Sequence, residues 1–282
     1  MSEADVFYRK TLKDFTETVR RAMTSSIEAK NVKADSKRYW ASVILTRICS
    51  LSASVLWVCP GSTLNPRSVT WDFESVAALC RSTFEAVLML FYLGLEQVTE
   101  DEWNLRIKLV HLSDCTERIR LFHWMGSAEQ LARLVPTAVW LRQQIQANPA
   151  FQALPEKVRK ELLTGDKATL FGKKEIISRW NEDPDKALGY YRFISNYVHS
   201  LALGFHRTAT HGRIGIENDV DKANMGTALD FTAQWLTKAL DGFEAAFADL
   251  VIFGRGTFSF SFLTRPTFSA RDEALIARIF HT

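Results

Sequence analysis

The spacing of apolar residues is the feature that most constrains how this chain folds. Over long stretches, apolar side chains recur every three or four residues, which is the period of an α-helix with one buried side. Helix-breaking residues are scarce, with 13 glycines and 7 prolines among 282 residues. The sequence therefore predicts an all-α fold, a multi-helix bundle.

Local signals set the bounds of the predicted helices. The segment from Ser36 to Val58 is followed by a Pro-Gly stop, and a helix from Ser127 to Ala147 precedes an Asn-Pro loop signal. The segment from Trp71 to Val98 is apolar on nearly every side, which predicts a central helix enclosed by others. Thr99 and Glu102 have the spacing of a capping box that opens the next helix. Two further long helices are predicted at Asp5 to Lys30 and at Ala223 to Gly254.

The later part of the chain adds short surface helices and one further long helix. That helix begins at Pro184, which suits a first helical turn, and ends near Gly204. No repeat, low-complexity segment or long linker divides the chain, so we expect one α-helical domain over residues 1–282. Its core covers about residues 36–252, and residues 253–282 form a short irregular C-terminal tail.

Composition indicates where the protein is located more clearly than which reaction it catalyses. The net charge of +3 falls short of the basic stripe of a dedicated nucleic-acid module. The four cysteines lack zinc-site spacing and are expected to be buried thiols in a reducing compartment. The N-terminus does not resemble a secretory signal, and the apolar run from Ala86 to Leu95 is half the length of a membrane span. We therefore expect a cytoplasmic protein with no membrane contact.

The late helix carries a narrow polar face within the sequence "YYRFISNYVHSLALGFHR". At 100° per residue, its polar members fall within an arc of about 100°. They are Arg192, Ser195, Asn196 and His199. The residues on the opposite side, where a core is expected, are Tyr190, Ile194, Tyr197 and Leu201. Any amphipathic helix needs a solvated face, but Leu188 and Leu203 at the two ends of this one favour a covered face.

The residue types on this face suit phosphate chemistry. A guanidinium such as that of Arg192 binds phosphate oxygens in pairs, and His199 is able to transfer a proton near neutral pH. The two residues lie about 10 Å apart along the helix axis, too far for a direct hydrogen bond. A bridging ligand or a second protomer is needed if they act together, with Ser195 or Asn196 orienting either group.

The central helix contains a second unusual feature. Arg81 and Glu85 are four residues apart on a face that is otherwise mostly apolar, which predicts a buried ion pair. Burial of charge is costly, so such a pair needs a reason. Either the pair clasps helices together, or it anchors a polar site between them.

The segments "RFISNYVH" and "RSTFE" together resemble the HEPN (higher eukaryotes and prokaryotes nucleotide-binding) superfamily, in particular little-characterised bacterial branches. The resemblance implies an all-α bundle, commonly a homodimer. It also implies a metal-independent endoribonuclease of a toxin or phage-defence system, without a cofactor. Arg192 and His199 would then be the catalytic pair in a shared cleft. The implied partners are RNA and an antitoxin or defence protein. The supporting residues would be Tyr191, Ser195, Asn196, Arg81 and Glu85.

Several alternatives stay open. The basic loop that follows the late helix offers an RNA-binding lip through His206, Arg207 and Arg213, whose charge also disfavours a metal site. Phe193 stands where the family often has a polar residue, which favours a non-catalytic module that binds a nucleotide or a partner protein. A purely structural subunit is the third alternative.

Overall fold

The computed structural model describes residues 1–30, 32–198, 215–251 and 253, and it confirms the all-α fold. Within these ranges there is no strand, and Trp71 and Gly215 form an isolated antiparallel bridge. The helices are α1 (Glu3–Glu28), α2 (Ser36–Val58), α3 (Phe73–Leu90), a π-helical segment (Phe91–Leu95), α4 (Glu100–Trp124), α5 (Ala128–Gln146), α6 (Pro149–Gln152), α7 (Glu156–Leu163), α8 (Lys173–Arg179), α9 (Pro184–Val198) and α10 (Asp219–Ala246).

Most of the predicted helix bounds agree with the structure. Helix α2 has the predicted limits, and α5 lies between Ser127 and Ala147, which are its two caps. Helix α10 starts earlier than predicted, at Asp219, because the side chain of Asn218 caps it. The Asn218 Oδ1 atom accepts a hydrogen bond from the Asp221 amide at 2.8 Å.

The Asn-Pro signal after α5 does not mark a plain loop as predicted. It opens the one-turn helix α6, because Asn148 Oδ1 accepts a hydrogen bond from the amide of Phe151 at 3.1 Å. Pro149 occupies the first helical position, where its missing N–H costs nothing. The predicted short surface helices are present as α7 and α8.

Contacts group the chain into two compact units. The first unit consists of Met1–Lys33, Leu45–Val87 and the residues from Arg192 onward. The second unit consists of Ala34–Ile44 and Leu88–Tyr191. The expected single domain stays a prediction.

In the first unit, α1 packs along α10. Gly226 permits this close approach, since a Cβ atom there would lie 2.7 Å from the ring of Phe7. Arg21 ties the far end, donating from Nε and Nη2 to the Glu244 carboxylate at 3.0 and 2.7 Å. The buried stripe of α1 includes Tyr8, Leu12, Phe15 and Val19.

Helix α3 is enclosed, as the sequence predicts. Along this helix only Glu74 is exposed, and all its other residues are buried or half-buried. Phe84 packs against the rings of Phe231 and Trp235, with centroids 5.0 and 4.9 Å away. The helix begins later than predicted because the Asp72 carboxylate accepts from an amide of the first turn.

The far end of this helix widens into the π-helical segment, which belongs to the second unit. Gly94 lies in this segment against Ala41, and a Cβ atom on Gly94 would be 2.7 Å from the Ala41 Cβ. The segment ends at Leu95, earlier than the predicted Val98. Segments of this kind are rare, and this one lies where two helices come into close contact.

The core of the second unit is built on the α4–α5 pair. Thr99 caps α4 as predicted, since its Oγ1 accepts from the Glu102 amide at 3.2 Å. The carboxylate of Glu102 does not complete a capping box, because it bonds to Arg106 instead. The apolar core includes Leu105, Leu109, Leu112, Leu134, Leu141, Ile145 and Phe151.

Two helical stretches are long and apolar enough to cross a membrane, judged by length and composition alone. They are Ser36–Val58 and Phe73–Leu95, of 23 residues each. In their most apolar windows, 44% and 61% of the residues are buried inside the protein. Core helices of soluble proteins pass the same test, so this is weak evidence for a span. The expected cytoplasmic location stays a prediction.

Candidate functional site

An aromatic cluster fixes the last two turns of α9. Its members are Phe73, Phe193 and Tyr197, with ring centroids between 4.7 and 5.9 Å apart. Ile194 and Tyr197 are buried, as predicted for the core side of the helix. Tyr190, predicted on the same side, is 36% exposed, and Leu201 lies outside the described residues. The cluster sets the rotation of the helix and therefore the direction of its polar face.

The opposite face of α9 carries polar groups that have no partner among the described residues. Arg192 is exposed, and Ser195 and Asn196 are half-buried. Among the described residues, no carboxylate pairs with Arg192 and no protein group bonds to the Asn196 amide. The Ser195 Oγ atom is shielded from solvent and also lacks a hydrogen-bond partner there. A buried hydroxyl without a partner costs about 1–3 kcal/mol, so Ser195 is a position where the described part of the fold gives up stability.

The other half of the predicted site falls where the structure describes no residues. His199 lies one residue beyond the described end of α9, and His206, Arg207 and Arg213 lie in the same range. Leu203, expected to close the polar face, is there as well. The proposed partnership of His199 with Arg192 therefore stays a prediction.

Tyr191, the predicted supporting residue before Arg192, belongs to the second unit. Its hydroxyl accepts a hydrogen bond from Lys173 Nζ at 2.7 Å, and the same ammonium lies 4.2 Å from the ring centroid. These contacts tie α9 to α8. They give Tyr191 a structural task whatever else it does.

Arg81 and Glu85 form the ion pair that their spacing predicts, but the pair is not fully buried. Arg81 Nε lies 3.7 Å from Glu85 Oε1, beyond hydrogen-bond distance, and the side chains are 23% and 38% exposed. Long side chains on an enclosed helix reach toward water with their charged ends, which explains the difference. Any role of the pair in a site stays a prediction.

The buried arginine of this fold is Arg106 in α4, which sequence reasoning missed. Its side chain is 0% exposed. Nη1 donates to Glu96 Oε2 and to the Tyr92 carbonyl, each at 2.6 Å, and Nη2 donates to Glu102 Oε1 at 2.5 Å. Arg179 bonds to the other oxygen of Glu96 at 2.5 Å. We call Arg106, Glu96, Glu102 and Arg179 the buried arginine cluster.

The buried arginine cluster contains two positive and two negative side chains, and its groups satisfy one another. The Arg106 guanidinium also lies 4.3 Å from the centre of the Tyr92 ring. Lys37 donates to the Glu96 carbonyl at 2.7 Å, and burial lowers the pKa of this lysine. A closed, neutral network of this kind clasps the end of the π-helical segment to α4 and α8. Each of its two carboxylates faces both guanidinium groups, which ties these elements together.

The four cysteines are buried free thiols, as predicted. Burial raises the pKa of Cys49 and of Cys80 to about 12 each, so these thiols stay protonated near neutral pH. Among the residues that the structure describes, no group of His, Cys, Asp or Glu side chains is arranged to hold a metal ion.

Comparisons of this chain with protein-family models, curated proteins and solved structures give no match. The function is therefore argued from the polar face of α9 and from the residues alone.

Proposed function

We propose that this protein is a HEPN-like, metal-independent endoribonuclease whose polar face on α9 binds the phosphodiester backbone of RNA. The observation that carries the proposal is Arg192, which has no partner among the described residues and lies one helical turn from the Asn196 amide and from the Ser195 hydroxyl, which also lacks a partner there. An exposed guanidinium beside hydroxyl and amide groups suits a phosphate, whose oxygens accept several hydrogen bonds at once.

The reaction requires only groups of the chain and of the RNA. The 2′-hydroxyl oxygen attacks the adjacent phosphorus, the bond from phosphorus to the 5′-oxygen breaks, and a 2′,3′-cyclic phosphate forms. His199 handles the proton that moves between the attacking and leaving oxygens. Arg192 stabilises the negative charge that develops on the phosphorane oxygens. No oxidant, metal or cofactor enters this balance.

The same proposal includes a homodimer. Arg192 and His199 are about 10 Å apart along the axis of one helix, too far for a direct hydrogen bond, and a second protomer offers a way for such a pair to act on one phosphate. Two α9 helices from two protomers would bring the arginine of one to the histidine of the other. A cytoplasmic location, a role in toxin or phage-defence biology and a neutralising antitoxin partner belong to this proposal.

A second candidate function is a non-catalytic module that binds a nucleotide or a partner protein through the same face. The observation that favours it is Phe193, which packs into the aromatic cluster with its ring 5.9 Å from that of Phe73. The position after Arg192 therefore supplies packing rather than a polar group to the face.

Cleavage of a fluorescent RNA in EDTA tests the proposal and separates the two candidates. We expect wild-type protein to release a product with a 2′,3′-cyclic phosphate end. His199→Ala is expected to slow cleavage by about 10²–10⁴-fold. Arg192→Ala should reduce both cleavage and the affinity for an uncleavable RNA with a 2′-deoxy substitution. Arg47→Ala is the matched control, since Arg47 is also an exposed helical arginine of the first unit.

Three outcomes distinguish the ribonuclease from the non-catalytic module or exclude RNA as the ligand. RNA binding without cleavage, lost in Arg192→Ala, supports the non-catalytic module. Cleavage that survives both α9 substitutions overturns the assignment of the site. The absence of both binding and cleavage for wild-type protein overturns the RNA proposal.

A further inference from the structure

A cavity of about 310 Å³ lies in the first unit, and no residue that lines it belongs to α9. It is lined by the first turns of α1, by the loop between α2 and α3, and by Glu217 just before α10. Its volume is at the lower end of the range for small-molecule sites. The apolar part of its wall includes Leu12, Pro60 and Trp71.

The walls of this cavity are held in place by hydrogen bonds. The Tyr8 hydroxyl donates to the Pro60 carbonyl at 2.8 Å, and Asn65 Nδ2 donates to the Trp57 carbonyl at 2.7 Å. The loop is fixed at its other end by Trp71, which exchanges backbone hydrogen bonds of 3.3 and 3.2 Å with the residue it faces in the isolated bridge. The cavity is therefore formed before any ligand arrives, which lowers the cost of binding.

Three charged side chains line the cavity, Asp5, Arg9 and Glu217, and a buried ion pair between Asp5 and Lys222 holds them in place. Asp5 and Lys222 are 8% and 9% exposed and lie 3.3 Å apart, from Nζ to Oδ1. Asp5 accepts from Arg9 Nε at 2.9 Å, and Lys222 lies 2.6 Å from Glu217 Oε1. The four side chains therefore form a row of ion pairs, from Arg9 to Asp5, from Asp5 to Lys222 and from Lys222 to Glu217.

The outer atoms of the two charged groups are left for a ligand. Arg9 and Glu217 are 69% and 58% exposed. Within the described part of the chain, Nη1 and Nη2 of Arg9 and Oε2 of Glu217 have no hydrogen-bond partner. A buried ion pair contributes little net stability by itself. This pair instead fixes the positions of Arg9 and Glu217, a donor and an acceptor that lie beside the apolar part of the cavity wall.

We propose that this cavity binds a free α-amino acid with an apolar side chain, and this inference does not rest on the ribonuclease proposal. The ligand carboxylate pairs with the guanidinium of Arg9, and its ammonium pairs with the carboxylate of Glu217. The apolar side chain lies against Leu12, Pro60 and Trp71. A simple anion would satisfy only Arg9 and lie beside Glu217 and Asp5, whereas a simple cation would lie beside Arg9.

Thermal unfolding of the full-length protein with leucine, phenylalanine, lysine and glutamate as separate probes tests this proposal. We expect leucine or phenylalanine to raise Tm by about 3–6 °C at about ten times the dissociation constant. Lysine and glutamate should give no shift, because a charged side chain would be buried in the apolar part. No shift with any of the four amino acids overturns the proposal.

Changes in the ligand, combined with substitutions in the protein, show which residue binds each charged group of the amino acid. Leucinamide lacks the carboxylate, and 4-methylpentanoate lacks the ammonium. Arg9→Gln should weaken leucine binding by about tenfold or more, measured by calorimetry, and should have little further effect on leucinamide binding. Glu217→Gln should behave in the same way toward 4-methylpentanoate.

Lys10→Gln is the control, since Lys10 is an exposed neighbour on α1 that pairs with Asp14 outside the cavity lining. Each variant is first unfolded without ligand, to show that its own Tm is close to that of wild type. Equal losses for leucine and leucinamide in Arg9→Gln would refute the assignment of the carboxylate. Leucine binding that survives both substitutions would refute the site.

Discussion

Replacing the buried arginine of α4 by methionine is the most direct test of what stabilises the second unit. Arg106→Met keeps much of the volume of the side chain and removes its charge. It deletes four donated hydrogen bonds, two to Glu102, one to Glu96 and one to the Tyr92 carbonyl. Arg179 is then the remaining guanidinium of the cluster facing both carboxylates.

The expected loss follows from burial. Removing one partner of a buried pair costs about 3–5 kcal/mol, because the other charge is left in a medium of low polarity. For a chain of this size, each kcal/mol corresponds to about 2–4 °C in Tm, so Tm should fall by about 6–20 °C. Urea unfolding followed by circular dichroism measures the free energy of unfolding directly.

A second substitution, Glu102→Gln, should change the free energy of unfolding in opposite directions in the variant and in the wild-type protein. In the Arg106→Met background, Glu102→Gln removes the excess negative charge and should recover about 1 kcal/mol or more. In the wild-type background, the same Glu102→Gln change should destabilise the protein, since it weakens a bond to Arg106. The opposite signs are the mark of a coupled network.

Arg120→Met is the matched control in the same helix. Arg120 also pairs with two carboxylates, Glu117 and Asp166, but all three side chains are more than half exposed. Exposed pairs contribute at most about 1 kcal/mol. If Arg106→Met costs no more than Arg120→Met, the buried cluster does not stabilise the fold and the reasoning is wrong.

Two further predictions concern packing and pH. Gly94→Ala should lower the free energy of unfolding by about 1–3 kcal/mol, because the new Cβ would lie 2.7 Å from the Ala41 Cβ. The control is Gly189→Ala, whose Cβ meets no described atom within 4 Å and which should stabilise α9 slightly. Equal effects of the two changes in urea unfolding would contradict the close contact. Burial raises the pKa of Cys80 to about 12 and raises that of Cys59 as well, so the native state holds protons that the unfolded state releases. The free energy of unfolding should therefore fall as pH rises from about 9 toward 12, and more shallowly in Cys80→Ala; an unchanged slope in that variant would exclude this thiol as a cause.

The helices were predictable because their signals are local. Apolar spacing and the cap at Thr99 act within a few residues, and the structure reproduces them. The π-helical segment was not predictable, since the contact of Gly94 with Ala41 joins residues more than fifty positions apart. The same limit applies to the cluster around Arg106. Its i,i+4 partner Glu102 is visible in the sequence, but Arg179 reaches it only through the fold.

The sequence predicted which side of α9 carries the candidate site, but not how deeply its side chains are buried. A helical wheel places Arg192, Ser195 and Asn196 on one side, and no group in the described part of the chain pairs with that side. The wheel gives no burial, however. It therefore could not show that the Ser195 hydroxyl is shielded from solvent, or that Arg81 is only partly buried.

The charged groups of this protein fall into two kinds. Some are paired with one another and stabilise the fold, whereas others keep atoms that a ligand would contact. In the buried arginine cluster, each carboxylate faces two guanidinium groups, so the charges of the cluster balance one another. Arg9 and Glu217 are each bonded on one side, and their outer atoms, like the guanidinium of Arg192, have no hydrogen-bond partner among the described residues. Substitutions in the closed network should therefore change stability and spare binding, whereas substitutions at the open groups should do the reverse.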